Sequence, residues 1–311
     1  MQQMDSYLEL DGWLERERFS PVLLAFLVSV AVFFLFQLVS SIFAVLFVIL
    51  EVGTAQQDVL MERLALLATP EFAVELMLAN TLGQILGMAL PVWLISRLHT
   101  RQVARFLRFQ PVSWGALGYA ALGLIVMMPV VQWLASVNAH IPLPEVIEEF
   151  DRQQMALLNN FLQGLSPGQF PLALLMLAIV PAFCEEMLFR GYVQRQLERG
   201  LHVGVAIVVT GVLFGFYHLR FTQAIPLSLI GIYLAYLTWR TRSLWPAILV
   251  HFLNNGFALT LGFYARLSPD VSMEDIEQWP VPWYMLLLSV VLSVWVLREI
   301  HRRIKPYEVA S

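Results

Sequence analysis

Apolar runs of about 20 residues, the length that crosses a bilayer, recur along this chain with polar breaks between them. They lie at roughly 21–50, 72–96, 113–137, 170–189, 203–219, 223–239, 244–264 and 281–297, and predict eight transmembrane helices. The first is over-long and predicts a helix that tilts or runs past the bilayer. The connections at 51–70 and 139–169 are the long ones. The second is acidic at Glu145, Glu148, Glu149 and Asp151 and reads as a short interfacial helix. No internal repeat or separate soluble domain interrupts the pattern. The expected fold is therefore all-α, a polytopic membrane helical bundle with about eight transmembrane helices. A polar segment at 1–20 precedes the bundle at 21–298, and a basic tail at 299–311 follows it.

Arginine placement tests that count independently. With eight spans and both termini in the cytoplasm, fifteen of the 19 basic residues fall on the inner side. Only Arg63, Arg152, Arg220 and Arg266 fall outside, together with the acidic loop of Asp270, Glu274, Asp275 and Glu277. The positive-inside rule thus favours this arrangement, and adding or losing one span would scramble it. Composition agrees: the chain is 59% hydrophobic and only 14% charged, far from the soluble average of about a quarter charged. A net charge of −4 argues against nucleic acid as a partner. The single cysteine, Cys184, excludes an intrachain disulfide framework and a cysteine-rich metal site. The polar, acidic first 20 residues do not read as a cleavable signal peptide.

Ionisable groups inside spans face a bundle interior or a water-filled cavity and are candidate functional residues. Counting un-ionised polar groups as well, those that matter most here are Glu185, Glu186, His218, His251 and Asn255, with Arg190 near the membrane edge. If the fourth and fifth spans are antiparallel helices joined by a tight turn at Gly200–Leu201–His202, Glu185 and His218 are equidistant from the turn, about 24 Å from it. The two should then face each other, and Arg190, Arg195 and Arg199 would lie on a helix emerging from the bilayer. His251 is only about 14 Å past its own turn, so equal depth requires the first hairpin to project about 10 Å further. Glu186 and Arg190 are spaced i,i+4 and can pair; His251 and Asn255 share a face, as do Phe214 and His218. Gly211 and Gly215 would let a neighbouring helix approach closely.

Each signal alone is weak, since a histidine in a span is more often a packed residue and Glu186–Arg190 more often a structural ion pair. Two glutamates, two histidines and an asparagine on spans four, five and seven are harder to assign to packing. A buried carboxylate opposite an imidazole can polarise one water as general base. His251 and the Asn255 amide could donate to the oxyanion of a tetrahedral intermediate. Arg190 would hold Glu186 charged. Together these groups describe amide hydrolysis within the membrane, and neither a serine-nucleophile elbow nor an HExxH helix is present.

With these residues the chain resembles the type II CAAX prenyl endopeptidases and their relatives, the CPBP or Abi intramembrane proteases. EExxxR occurs as Glu185-Glu186-MLF-Arg190, FxxxH as Phe214-GFY-His218 and HxxxN as His251-FLN-Asn255. The resemblance covers about residues 170–262. It implies an integral-membrane endopeptidase with Glu185 as the catalytic carboxylate and His218 as its partner on the water. His251 and Asn255 become oxyanion stabilisers, with Glu186 and Arg190 in support. No cofactor is the favoured expectation; the alternative is zinc held by Glu185, His218 and His251. The implied partners are membrane lipids and a hydrophobic or lipidated peptide or protein substrate. One lysine against eighteen arginines points to a bacterial-type member in an inner or plasma membrane. The competing classes are a transporter or proton-coupled channel, and a non-catalytic scaffold or immunity protein that retains the fold. The absence of inverted repeats counts against the transporter.

Overall fold

The structure, a computed structural model, describes residues 8–52, 69–266 and 279–304. The expectations for Arg63, for the acidic residues 270–277 and for Lys305 lie outside these residues. Among the described residues there is no strand, and the fold is an all-α polytopic bundle. Its principal helices are α1 (Pro21–Val52), α2 (Pro70–Ser96), α3 (Trp114–Ala139), α4 (Glu145–Gly164), α5 (Pro167–Gly200), α6 (Val203–Tyr217), α7 (Phe221–Thr241), α8 (Trp245–Ala265) and α9 (Trp283–Arg303).

Seven of these are long and apolar enough to cross a membrane, at seven of the expected places. The eighth, α6, has 15 residues, so at 1.5 Å per residue it is about 22 Å long and falls short of a hydrocarbon core of about 30 Å. Burial separates the axis from the rim. The most apolar window of α5 is 61% buried, against 22% for α1 and α9. The outer faces of α1 and α9 expose Leu23, Leu27, Phe34, Leu38, Leu287, Leu288 and Val291. Surfaces this apolar are stable against hydrocarbon rather than water, and the protein is an integral membrane protein.

The core gathers around α5. Leu188, Phe189, Tyr192 and Leu197 pack with Leu234 and Leu237 of α7, Val250 of α8 and Ile300 of α9. A second cluster of Met77, Leu162, Leu165, Met176 and Leu259 seats the end of α4 against α2, α5 and α8. The acidic connection is thus a 20-residue amphipathic helix anchored at both ends. Asp151 accepts the Phe221 and Thr222 N–H groups at 3.2 and 2.7 Å, and Arg266 donates to the Leu162 carbonyl at 2.7 Å.

Small residues set the closest helix approaches. A Cβ on Gly231 of α7 would lie 2.6 Å from the Gly211 carbonyl of α6, so these backbones are in contact, as the small residues of α6 led one to expect. A Cβ on Gly87 of α2 would sit 2.7 Å from Phe36 Cα in α1. Two stretches of α2 and α5, Gly83–Ala89 and Leu175–Ile179, widen to π geometry just ahead of Pro91 and Pro181. Each proline lacks the N–H that the carbonyl four residues back would accept, which loosens the helix there. A third π stretch, Met187–Val193, follows the two glutamates.

One expectation is corrected. Arg190 and Arg195 do not emerge into water; they are 0% and 2% exposed. The last turns of α5 are enclosed by the 97–110 connection and by the N-terminal segment. Gly12 N–H donates to the His99 carbonyl at 2.9 Å, and Glu15 accepts from Arg199 at 2.6 Å and from His99 Nδ1 at 2.6 Å. Hydropathy cannot distinguish an arginine solvated by water from one solvated by protein dipoles.

Candidate active site

The polar face of α5 repeats every fourth residue: Glu186, Arg190, Gln194 and Glu198, all buried. Burying such groups is costly unless each finds partners. Arg190 donates to Glu186 Oε1 at 2.7 Å and to the Gly231 carbonyl at 2.9 Å. Gln194 donates to Glu198 Oε1 at 2.7 Å and to the Ala235 carbonyl at 2.9 Å, and Arg108 also pairs with Glu198. The helix carbonyls of α7 supply their second lone pairs to this ladder. The fixed spacing along α5 was visible in the chain; the acceptors on α7 were not.

At the head of the ladder Glu186 does more than pair with Arg190. Its Oε1 also meets His251 Nδ1 of α8 at 2.8 Å, so this carboxylate joins α5 to α8. The geometry sets the tautomer: an ionised carboxylate only accepts, so His251 Nδ1 carries a proton. Phe214, the aromatic of the FxxxH stretch, packs against three site groups. Its ring lies 4.3 Å from the Arg190 guanidinium carbon, 4.7 Å from the His218 ring and 5.4 Å from the His251 ring.

Glu185, one residue earlier, is turned about 100° around the helix and faces elsewhere. Its Oε1 accepts from Gln84 Nε2 of α2 at 3.1 Å, in a pair where Gln84 is 4% and Glu185 8% exposed. Its Oε2 lies 3.7 Å from His218 Nε2 and 3.9 Å from His251 Nε2. The facing of Glu185 and His218 is therefore as the hairpin geometry required, and His251 reaches the same depth. His218 Nδ1 is committed to the Phe214 carbonyl at 2.8 Å, which again leaves Nε2 turned to Glu185. His218 ends α6; the turn beyond it is pinned by Asp151 and by Asn138, which donates to the Phe221 carbonyl at 3.0 Å and accepts from Ile225 N–H at 2.8 Å. The His218 side chain is 28% exposed and His251 2%, so the site opens on the His218 side.

Glu185 Oε2 and His251 Nε2 are buried without a hydrogen-bond partner. Together with His218 Nε2 they converge on one small volume, each residue's other polar atom being already engaged. Asn255 lies one turn beyond His251 on α8; its hydrogen bond is from the neighbouring Asn254 amide at 3.4 Å, not from Glu185 or either histidine. Among the described residues, no group of three or more His, Cys, Asp or Glu side chains has metal-holding geometry.

Gln84 was missed from sequence, because a glutamine in an apolar run 101 residues away carries no spacing relation to Glu185. Its neighbours Gly83 and Gly87, at small-residue spacing, were the available sign that α2 packs closely there. No curated protein and no solved structure matches the chain significantly. The family model described as type II CAAX prenyl endopeptidase Rce1-like matches residues 167–257. That stretch runs from the start of α5 through Asn255 and includes all six site residues expected from sequence, but not Gln84. With the three motifs on α5, α6 and α8 and the first two meeting at Glu185, residues 167–257 are similar to the Rce1-like type II CAAX prenyl endopeptidases over the stretch that carries the site.

Proposed function

We propose that the protein hydrolyses a peptide bond of a membrane-associated or lipidated, CAAX-like protein or peptide, with Glu185 as general base on a single water. The observation that carries this reading is the convergence of two buried atoms without a hydrogen-bond partner, Glu185 Oε2 and His251 Nε2, with His218 Nε2 3.7 Å from the same carboxylate oxygen. A water here donates one hydrogen to Glu185 Oε2 and the other to His218 Nε2, leaving its lone pair for the scissile carbonyl carbon. Glu185 takes the proton as the C–O bond forms, then returns it to the leaving nitrogen as the C–N bond breaks. Gln84 holds Oε1, so the base is confined to Oε2. For His251 to donate to the oxyanion it must carry a proton on both nitrogens. Glu186, which also accepts from Arg190, lies 2.8 Å from His251 Nδ1 and orients the ring for that role. Asn255 would add its amide once a substrate carbonyl occupies the site.

Zinc is the second reading, and the donor chemistry favours it in one respect. Two neutral imidazoles whose Nδ1–H groups are held by a carbonyl and a carboxylate, plus one carboxylate, form a zinc donor set with its outer partners in place. Glu185, His218 and His251 would hold the ion, which would supply a Lewis acid and a more acidic water. The 3.7 and 3.9 Å separations favour water, because ligands 2.0–2.1 Å from a tetrahedral zinc sit about 3.3 Å apart.

The test uses the full chain in liposomes with a prenylated CAAX peptide and its unlipidated counterpart. Glu185→Gln and His218→Ala should abolish cleavage while retaining the wild-type melting temperature. Undiminished turnover in Glu185→Gln would overturn the reading, and ion flux lost in the same variants without any proteolysis would replace it with a transporter. Chelator-resistant turnover without stoichiometric zinc separates the water mechanism from the metal one. Both termini in the cytoplasm of a bacterial inner membrane complete the proposal, testable by terminal reporter fusions.

A further inference from the structure

Away from the site, a groove of about 540 Å³ opens on the outer surface between α6, α7 and α9. Its walls are Ile207 of α6, Leu229 and Ile232 of α7, and Val294 and Leu297 of α9. Tyr233 and Tyr236 also line it, yet add little polarity: their hydroxyls donate elsewhere, to the Ala120 carbonyl at 2.8 Å and the Leu297 carbonyl at 3.3 Å. The rings alone face the groove, so water has nothing to bond to there. The other end is different. Arg298, His301 and Arg302 close it, in the last two turns of α9. One acid, Glu299, is shared by Arg302 and Arg303 at 2.9 and 2.5 Å. Arg240 of α7 adds a further cation, its guanidinium donating to the His301 carbonyl at 2.6 Å. Arg298, Arg302, Arg303 and Arg240 therefore outweigh Glu299 at this end.

The groove is thus amphipathic along its length. The apolar lining runs about 10 Å along α7, from Leu229 to Tyr236, and about 4.5 Å along α9, from Val294 to Leu297, with the cations beginning at Arg298. An apolar trough on a membrane-embedded surface takes an acyl chain, and a net positive end selects an anionic headgroup. We propose that this groove binds one anionic glycerophospholipid, with an acyl chain along α7 and α9 and its phosphate between Arg298 and Arg302. It shares no residue with the catalytic group.

Native mass spectrometry of the full chain, titrated in parallel with phosphatidylglycerol and phosphatidylcholine of equal chain length, tests this. Wild type should retain one phosphatidylglycerol in clear preference to phosphatidylcholine. Arg298→Gln with Arg302→Gln should lose that preference, by about fivefold for each arginine, the size expected of one basic group at an anionic surface. Ile232→Trp, which fills the trough, should weaken both lipids alike. Equal retention of the two lipids by wild type, a measurement that needs no variant to fold, would overturn the proposal. So would unchanged preference in the double arginine variant. Displacement by inorganic phosphate would reduce the site to a simple anion contact, and displacement by a farnesylated peptide would assign the groove to the substrate's lipid instead.

Discussion

Glu185 and Glu186 are adjacent in the chain and opposite in environment. Glu186 is enclosed, with Arg190 and His251 both on one oxygen; Glu185 keeps one oxygen open toward two histidines. Removing Glu186 leaves Arg190 buried with an uncompensated charge, so Glu186→Ala should cost about 3–5 kcal/mol of stability, read as a lowered melting temperature in detergent. Glu185→Ala should melt like wild type and be inactive, which separates the two carboxylates by assay. Gln84→Leu removes a hydrogen bond to a charged group, a loss of about 1.5–3 kcal/mol. It should lower kcat by roughly ten- to a hundredfold with KM little changed, since the amide acts on the base and not on the substrate. An unaltered kcat would show that Oε1 needs no donor. These residue-level contacts come from four helices, and only the Glu186–Arg190 spacing within α5 and the facing of Glu185 and His218 could be read off the chain.

At the scale of elements, the site depends on two close approaches and one pinned turn. α6 is short because its purpose in the bundle is served by fifteen residues: it packs Gly211 against Gly231 and ends at His218. Gly231→Leu would drive a side chain into the Gly211 backbone; the two helices must separate, and the variant should express poorly or lose its cooperative melt. Asp151 acts more locally, accepting two N–H groups of the turn after His218. Asp151→Ala should therefore cost only about 1–2 kcal/mol, as the loss of a helix cap does. Its cleavage rate should fall by more than its stability, because the turn positions His218. Hairpin geometry brought α5 and α6 together at the site, and the family resemblance added α8. Neither announced that α4 would fasten the turn between α6 and α7, since Asp151 lies in an amphipathic helix whose acidic residues otherwise look like a solvated face.

For the molecule as a whole, the N-terminal segment closes the bundle end opposite the active site. Burial alone would raise the Glu15 carboxyl, but hydrogen bonds from His99 and Arg199 outweigh it and lower its pKa from 4.5 to about 2. A depressed carboxylate pKa means that the stabilisation is fully present above about 4.5 and is lost as pH falls toward 2. The amide protection of residues 8–18, taken relative to the intrinsic exchange rate at each pH, should therefore fall as the pH is lowered through that window, and Glu15→Gln should show the reduced protection already at neutral pH and no such pH dependence. The order of the helices, seven of the eight expected spans and the facing of Glu185 and His218 were legible in the sequence itself, because apolar length and helical rise are local quantities. The burial of Arg190 and Arg195, the junction of Glu186 with His251, the Gln84 contact and the groove on α7 and α9 were decided by tertiary structure alone. Each depends on which backbone carbonyl, amide or ring a neighbouring helix presents at a given depth, and no periodicity within one helix encodes its neighbour.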